Sequence, residues 1–165
     1  MKICTSLKTA LAVGLLAVSG ASFAQTSSVS VPFTATVTNA CTLSNPVAGV
    51  MVTDATNTNL STAFSGGSMG SFDLSCSGGT GTFYLNPLVE TDALGLLAAV
   101  TAAGGSYASQ LHSGASQLGQ VGAAGWGIGG TYANGTFQVG ALVNGAAPLP
   151  NGNYAFTVTV DVTAN

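Results

Sequence analysis

Basic residues are almost missing from this chain. Among 165 residues only Lys2 and Lys8 are cationic, against five acids. A surface with so few cations neutralises phosphates badly, so nucleic acids and anionic membrane surfaces are very poor partners. Charged residues of both signs make up 4% of the chain and apolar residues 47%, the wrong balance for disorder and one that suits a surface largely covered by neighbours. Histidine occurs once, as His112, and Asp54, Asp73, Glu90, Asp92 and Asp161 are scattered. Such a set offers no metal cluster and no catalytic constellation, so neither a metal, a cofactor nor an enzymatic activity is expected.

Both lysines fall in a segment that reads as an export signal, residues 1–24. Lys2 and Lys8 form its positive end, Leu11 to Val18 its apolar stretch, and Ser22-Phe23-Ala24 a small-residue cleavage site. The apolar stretch is short of the roughly 20 residues that span a bilayer. Cleavage would remove Cys4 and leave Gln25 to Asn165, 165 − 24 = 141 residues, as one domain with no Lys or Arg. Export leads to an oxidising compartment, so Cys41 and Cys76 are expected to pair. Their loop of 76 − 41 = 35 positions corresponds to about 3–4 kcal/mol in the chain-entropy view.

What is present is mostly strand and turn. Val29, Val31, Phe33, Ala35 and Val37 alternate with Ser, Pro or Thr and lead into Cys41. The run is long for one strand, and its first half is expected to be lent to another molecule while its second half is pinned to its own fold. A Val47, Val50, Val52 patch precedes a polar loop from Thr53 to Thr62. Phe72, Leu74 and Cys76 alternate, and Phe83 and Leu85 head a short strand stopped by Pro87. Ala93 to Ala103 is expected as loop with one helical turn, and Tyr107 to His112 as strand. Gly114 to Gly130 is glycine-rich, and Asn134-Gly135 signals a hairpin between Tyr132 and Thr136–Val139. Tyr154, Phe156, Val158, Val160 and Val162 alternate with polar or small residues in the clearest strand. No later segment follows to pair its free edge, so that edge is expected to be open to partners. The total is an all-β chain of about six or seven strands, close to an incomplete immunoglobulin-like β-sandwich whose final strand is missing.

Several motifs match chemistry by letter only. Gly66-Gly67-Ser68-Met69-Gly70, followed by Asp73 or Asp92 and by His112, has the order of a nucleophile elbow but lacks crossover helices. Gly125-Trp126-Gly127-Ile128-Gly129-Gly130 fits a dinucleotide fingerprint yet opens no helix. His112 reads as a solvent-exposed strand-end residue and Trp126 as core or interface. Asn59-Leu-Ser61 and Asn134-Gly-Thr136 fit the glycosylation pattern.

Taken together, Val37-Thr-Asn-Ala-Cys41-Thr-Leu, Leu74-Ser-Cys76-Ser-Gly, Gln110-Leu-His-Ser-Gly114 with Trp126-Gly, Phe137-Gln-Val-Gly140-Ala-Leu-Val and Ala147-Pro-Leu-Pro150-Asn-Gly152-Asn-Tyr154-Ala-Phe-Thr-Val-Thr-Val resemble the spore coat protein U-like family, which includes pilins of the archaic chaperone–usher pathway. The resemblance implies an incomplete sandwich whose missing strand is supplied in trans, first by a periplasmic chaperone and then by the N-terminal segment of the next subunit. It implies residues 25–35 as the donor segment, with Val29, Val31, Phe33 and Ala35 as donor residues. Tyr154, Phe156, Val158, Val160 and Val162 would line the acceptor groove. An outer-membrane usher, head-to-tail copies of itself or related pilins, and a place in a fimbria at the cell surface that serves adhesion or biofilm formation follow from the same resemblance. Pro32 lies inside the donor and cannot donate to a ladder.

Two other readings fit the export signal. One is a secreted coat or matrix protein whose sandwich is closed by its own N-terminal strand. The other is a small outer-membrane β-barrel, against which stand the single Trp and four Tyr and the lack of regular ten-residue strands.

Overall fold

A computed structural model describes residues 32–35, 39–123 and 130–165. The chain divides into two units, Met1–Thr36 and Val37–Asn165. In the first, Pro32 to Ala35 takes no regular secondary structure and is exposed. Val29, Val31, Val37 and Trp126, and the expectations attached to them, lie outside the described residues.

In chain order the second unit contains β1 (Cys41–Val47), β2 (Val52–Thr53), β3 (Asn59–Ser61), β4 (Gly70–Cys76), β5 (Thr80–Leu85) and β6 (Val89–Glu90). The helix α1 (Leu96–Ala102) follows, then β7 (Ser106–Ser113), β8 (Ser116–Gly122), β9 (Gly130–Ala133), β10 (Gly135–Asn144), β11 (Phe156–Thr157) and β12 (Val160–Ala164). All pairings are antiparallel, and the fold is an all-β sandwich.

The larger layer is built on β10, which pairs with β4 through Gly135–Val139, with β3 through Leu142–Asn144 and with β7 over Gln138–Asn144. Outside these lie β1 against β4, β2 against β3 and β8 against β7. The opposite layer sets β5 between β9 and β12, and β6 pairs with β11. β5–β6 and β11–β12 are therefore two long strands, each interrupted once. The interruption has a local cause. Pro87 lacks an N–H, so the ladder cannot continue through it. Asn86 N–H still donates to Thr159 O at 2.9 Å, and the fully buried Ser109 hydroxyl reaches across from β7 to Asn86 O at 2.6 Å.

Alternation builds the core. On β4, Phe72, Leu74 and Cys76 are buried, whereas Ser71, Asp73 and Ser75 face outward. Phe83 on β5 is 0% exposed and packs edge-on against Phe72 and Phe137 at centroid distances of 5.5 and 4.8 Å, with Tyr132 stacked at 5.4 Å. A second cluster joins Leu96, Leu97 and Val100 of α1 to Leu60, Leu88, Ala141 and Val143. The helix starts after Gly95, whose φ of 72° suits glycine. The Glu90 carboxylate accepts the first free N–H groups of α1, from Leu96 at 2.8 Å and Leu97 at 2.9 Å. That acid cap lets an alanine- and leucine-rich stretch become a helix of seven residues, longer than the single turn expected.

Cys41 and Cys76 form the expected disulfide. They sit directly opposite each other in the β1/β4 register with Cα atoms 4.1 Å apart. The bridge needs space in the facing layer, and Gly81 on β5 provides it. A Cβ there would fall 2.8 Å from Val162 Cγ2 and 3.0 Å from both sulfurs. Gly81→Ala is therefore expected to lower unfolding stability by about 1–3 kcal/mol, read from the urea midpoint of the oxidised protein.

Other expectations are corrected. Asn134-Gly135 does not turn a hairpin: β9 pairs with β5 and β10 with β4, so the chain crosses between layers there. Asn134 stands in for a strand neighbour, its Oδ1 accepting Cys76 N–H at 2.7 Å and its Nδ2 donating to Cys76 O at 3.2 Å. Residues 116–122 of the glycine-rich stretch are β8, and β3 lies in the segment expected as polar loop. The strand begun by Phe83 and Leu85 resumes after Pro87 as β6. His112 ends a strand as expected but is only 9% exposed, because β7 is flanked by β10 on one side and β8 on the other.

Candidate functional site: an open apolar groove

Tyr154, Phe156, Val158, Val160 and Val162 all point inward, alternating with exposed Ala155, Thr157, Thr159, Asp161 and Thr163. Each inward side chain is only half-buried, while Phe83 and Leu85 on the neighbouring β5 are fully buried. The residue types are equally apolar, so the difference comes from position. β5 has a strand on both sides. β12 has one on a single side, and among the described residues none pairs with its other edge.

The outer edge of β1 in the larger layer is likewise unpaired among the described residues. At one end the two edges are tied, where the Asn39 side-chain amide donates to Asn165 O. Beyond that tie lies a cavity of about 880 Å³. Leu43, Val47, Val50 and Met51 line one side, Tyr154, Phe156, Val158 and Val160 the other, and Phe72, Val139, Leu60 and Leu88 lie between. No lining residue is charged. Val162, expected in the groove, lies beyond its end and packs against the main core beside Gly81.

The wall on the β1 side was not anticipated. Its signal was the Val47, Val50, Val52 patch, which is too apolar for a solvated loop. Val47 and Val50 are 61% and 52% exposed. β1 bends there: its register slips between Ser44 and Val47, and Asn45 takes a φ of 52°. Asn45 Nδ2 secures the bend by donating to Asp73 Oδ2 at 2.8 Å. The segment then passes so close to β4 that a Cβ at Gly49 would lie 2.6 Å from Gly70 N.

The mouth of the groove is held by acids that meet no cation among the described residues. Asp92 accepts the N–H of Ala155 and of Leu94, the latter at 2.9 Å, and Tyr154 OH donates to Pro150 O. The hydrogen bonds from Ala155 and Leu94 hold the Asp92 carboxyl below the usual range, and burial with the nearby Glu90 and Asp92 charges pushes the Tyr154 phenol up. Asn45 and Thr136 lower Asp73 in the same way. At Asp54 burial acts upward but is outweighed by donors from Thr58, Asn59 and Thr56, and the carboxyl sits far below its ordinary value.

These depressed values set a pH dependence. A carboxylate whose folded pKa is lowered stabilises the fold above its unfolded value near 3.9, and the contribution fades as pH falls toward the folded value. Unfolding stability is thus expected to be flat from about pH 5 to about pH 9, to fall below about pH 4 and, because the Tyr154 phenol is raised in the fold, to fall again as pH rises past its unfolded value near 10. Asp54→Asn should shallow the fall on the acid side in acid denaturation curves.

Other candidate motifs do not assemble. Ser68 pairs through its backbone with Val50, and the Gly66–Gly70 segment opens the strand β4 instead of a helix. Gly130 begins β9, and the rest of its glycine motif lies outside the described residues. Asn59 Nδ2 is bonded to Asp54 Oδ2 at 2.6 Å and Asn134 to Cys76, so both glycosylation motifs have their amide engaged. Among the described residues no group of acids, Cys or His could hold a metal ion, and no helix is long and apolar enough to cross a membrane. Comparison with family models, curated proteins and solved structures returns no match.

Proposed function

We propose that this chain is a structural subunit of a surface fibre of the chaperone–usher kind, related to the spore coat protein U-like pilins, with no catalytic role. The groove accepts an extended segment from another molecule, which adds a strand between β1 and β12. One observation carries this reading: an uncharged apolar groove of about 880 Å³ bordered by two strand edges that are unpaired among the described residues.

The occupant proposed is residues 25–35 of a second copy. Val29, Val31, Phe33 and Ala35 alternate as an added strand requires, and Phe33 is 91% exposed. Completing the burial of Tyr154, Phe156, Val158 and Val160 contributes about 1 kcal/mol each, roughly half the value for burying such a side chain in full. Pro32 forfeits one ladder hydrogen bond, about 1 kcal/mol, which leaves a favourable balance. A donor segment and an acceptor groove at different places on one chain make a heterologous contact, which propagates as a filament. A periplasmic chaperone fills the groove before assembly, and an outer-membrane usher receives the subunit. The resulting fibre serves adhesion or biofilm formation.

The test is deletion of residues 25–35. The shortened chain should fold, with its disulfide, and stay monomeric, while the full mature chain forms filaments visible by electron microscopy. Filaments that persist after the deletion contradict the proposal. A full mature chain that is a stable monomer points to a sandwich closed by its own N-terminal strand.

A further inference from the structure

Three Asn-Gly pairs occur in the chain: Asn134-Gly135, Asn144-Gly145 and Asn151-Gly152. Such pairs are chemically fragile. The glycine nitrogen, once deprotonated, can attack the asparagine Cγ, and without a Cβ the glycine neither shields that nitrogen nor resists the backbone rotation required. A new C–N bond closes a five-membered succinimide while the Cγ–Nδ2 bond breaks and ammonia leaves. Water then opens the ring at either carbonyl, leaving aspartate or isoaspartate. The balance is asparagine plus water to acid plus ammonia, and no other reactant is needed.

The fold treats the three pairs differently. Asn134 is clamped by its two hydrogen bonds to Cys76. Asn144 lies in β10, paired with both Asn59 and Ser106, and its nucleophile is occupied because Gly145 N–H donates to Thr58 O at 2.9 Å. Asn151 is exposed in a bend outside any strand, and its side chain has no hydrogen-bond partner among the described residues. We infer that Asn151 is a selective site of spontaneous deamidation, and that its conversion alters the mouth of the groove.

The second part rests on the groove reading above. Gly152 and Asn153 line the groove beside Tyr154. A carboxylate at position 151 would join the acids of the mouth, Glu90 and Asp92, where Asp92 already holds Ala155 N–H and no cation among the described residues balances it. The isoaspartate product also adds a main-chain methylene next to Gly152, where even a Cβ would come within 3.0 Å of Leu94 Cδ1. Both changes disfavour docking of an apolar strand, so the modification would act as a slow clock on any groove not yet filled.

The experiment holds the folded, oxidised mature chain in mildly alkaline buffer. Amide-to-acid conversion and isoaspartate are followed by mass spectrometry of chymotryptic peptides. Asn151 should convert at least about tenfold faster than Asn134 or Asn144, since releasing two ordinary hydrogen bonds slows attack by about that much. All three should converge in denaturant. Equal rates in the folded chain overturn the site. A peptide of residues 25–35 should bind a chain lacking that segment more weakly after Asn151→Asp, and unchanged binding overturns the consequence. If the unmodified chain does not take up the peptide, the groove reading fails, while the conversion rates still decide the site.

Discussion

Aspartate at Val158 is expected to abolish strand uptake while leaving the body folded. Val158 lies between β11 and β12 and touches both core clusters, near the middle of the inward row from Tyr154 to Val162. In the empty groove its side chain is half-buried, so a carboxylate there can turn to water at little cost. Once a strand covers the groove, the charge loses that water and meets no cation, because residues 25–165 contain no Lys or Arg. An unpaired buried charge costs about 3–5 kcal/mol, and every 1.4 kcal/mol is a factor of ten, so affinity should fall by more than about a hundredfold. Sedimentation of the variant should give monomer with unchanged circular dichroism. Val158→Ala, which removes contact without adding charge, should weaken assembly far less. Filaments of normal length from the aspartate variant would mean that the groove is not where the strand binds.

The largest effect on stability is expected from Phe83→Ala. Phe83 is fully buried and packs against the rings of Phe72, Phe137 and Tyr132. Truncation removes its transfer free energy and leaves a cavity that three other rings, held by their own strands, cannot close. Such changes cost about 3–5 kcal/mol in all, and the lost ring pairs place this site at the upper end of that range. Against a total stability of about 5–15 kcal/mol for an ordinary domain, the variant should lie near the edge of folding and depend on its disulfide. Urea unfolding of oxidised and reduced protein measures both. A loss below about 1 kcal/mol would place the centre of the core elsewhere. Phe72→Leu, which keeps most of the volume, should be milder.

The strands that carry the core were legible because their periodicity is strict. Phe72, Leu74 and Cys76, and the row from Tyr154 to Val162, alternate without interruption, and a period of two has one structural meaning. The disulfide was legible from the expected export signal and from the scarcity of cysteine. What escaped depended on partners far away in the chain. β8 is Gly-, Gln- and Ser-rich and becomes a strand because β7 offers it an edge, so its own composition says little. Asn134-Gly135 encodes a tight change of direction, but not whether the next strand returns to the same layer. His112 looked like a polar strand end, and its burial comes from strands on both sides that no local pattern announces.

The groove was half legible. Its Tyr154–Val160 wall followed from alternation with no expected neighbour. Its β1 wall did not, because Asn45 and Pro46 break the period just where the chain bends outward, and the Val47–Val52 patch then reads as an irregular loop. Val162 was assigned to the groove by the same alternation. It belongs to the core because the two edges are already tied at the Asn39–Asn165 end, a closure that depends on residues 126 positions apart.

If the groove takes residues 25–35 of another copy, the added strand pairs with both of its edges. The direct measurement is amide hydrogen exchange on the chain shortened to begin after residue 35, with and without a synthetic peptide of residues 25–35. New protection is expected at both edges of the groove, at Leu43 to Val47 and at Tyr154 to Val160, together with a rise in unfolding temperature that depends on peptide concentration. No added protection at these two edges, or protection confined to β8 and β9 on the far side of the sandwich, would contradict docking in the groove.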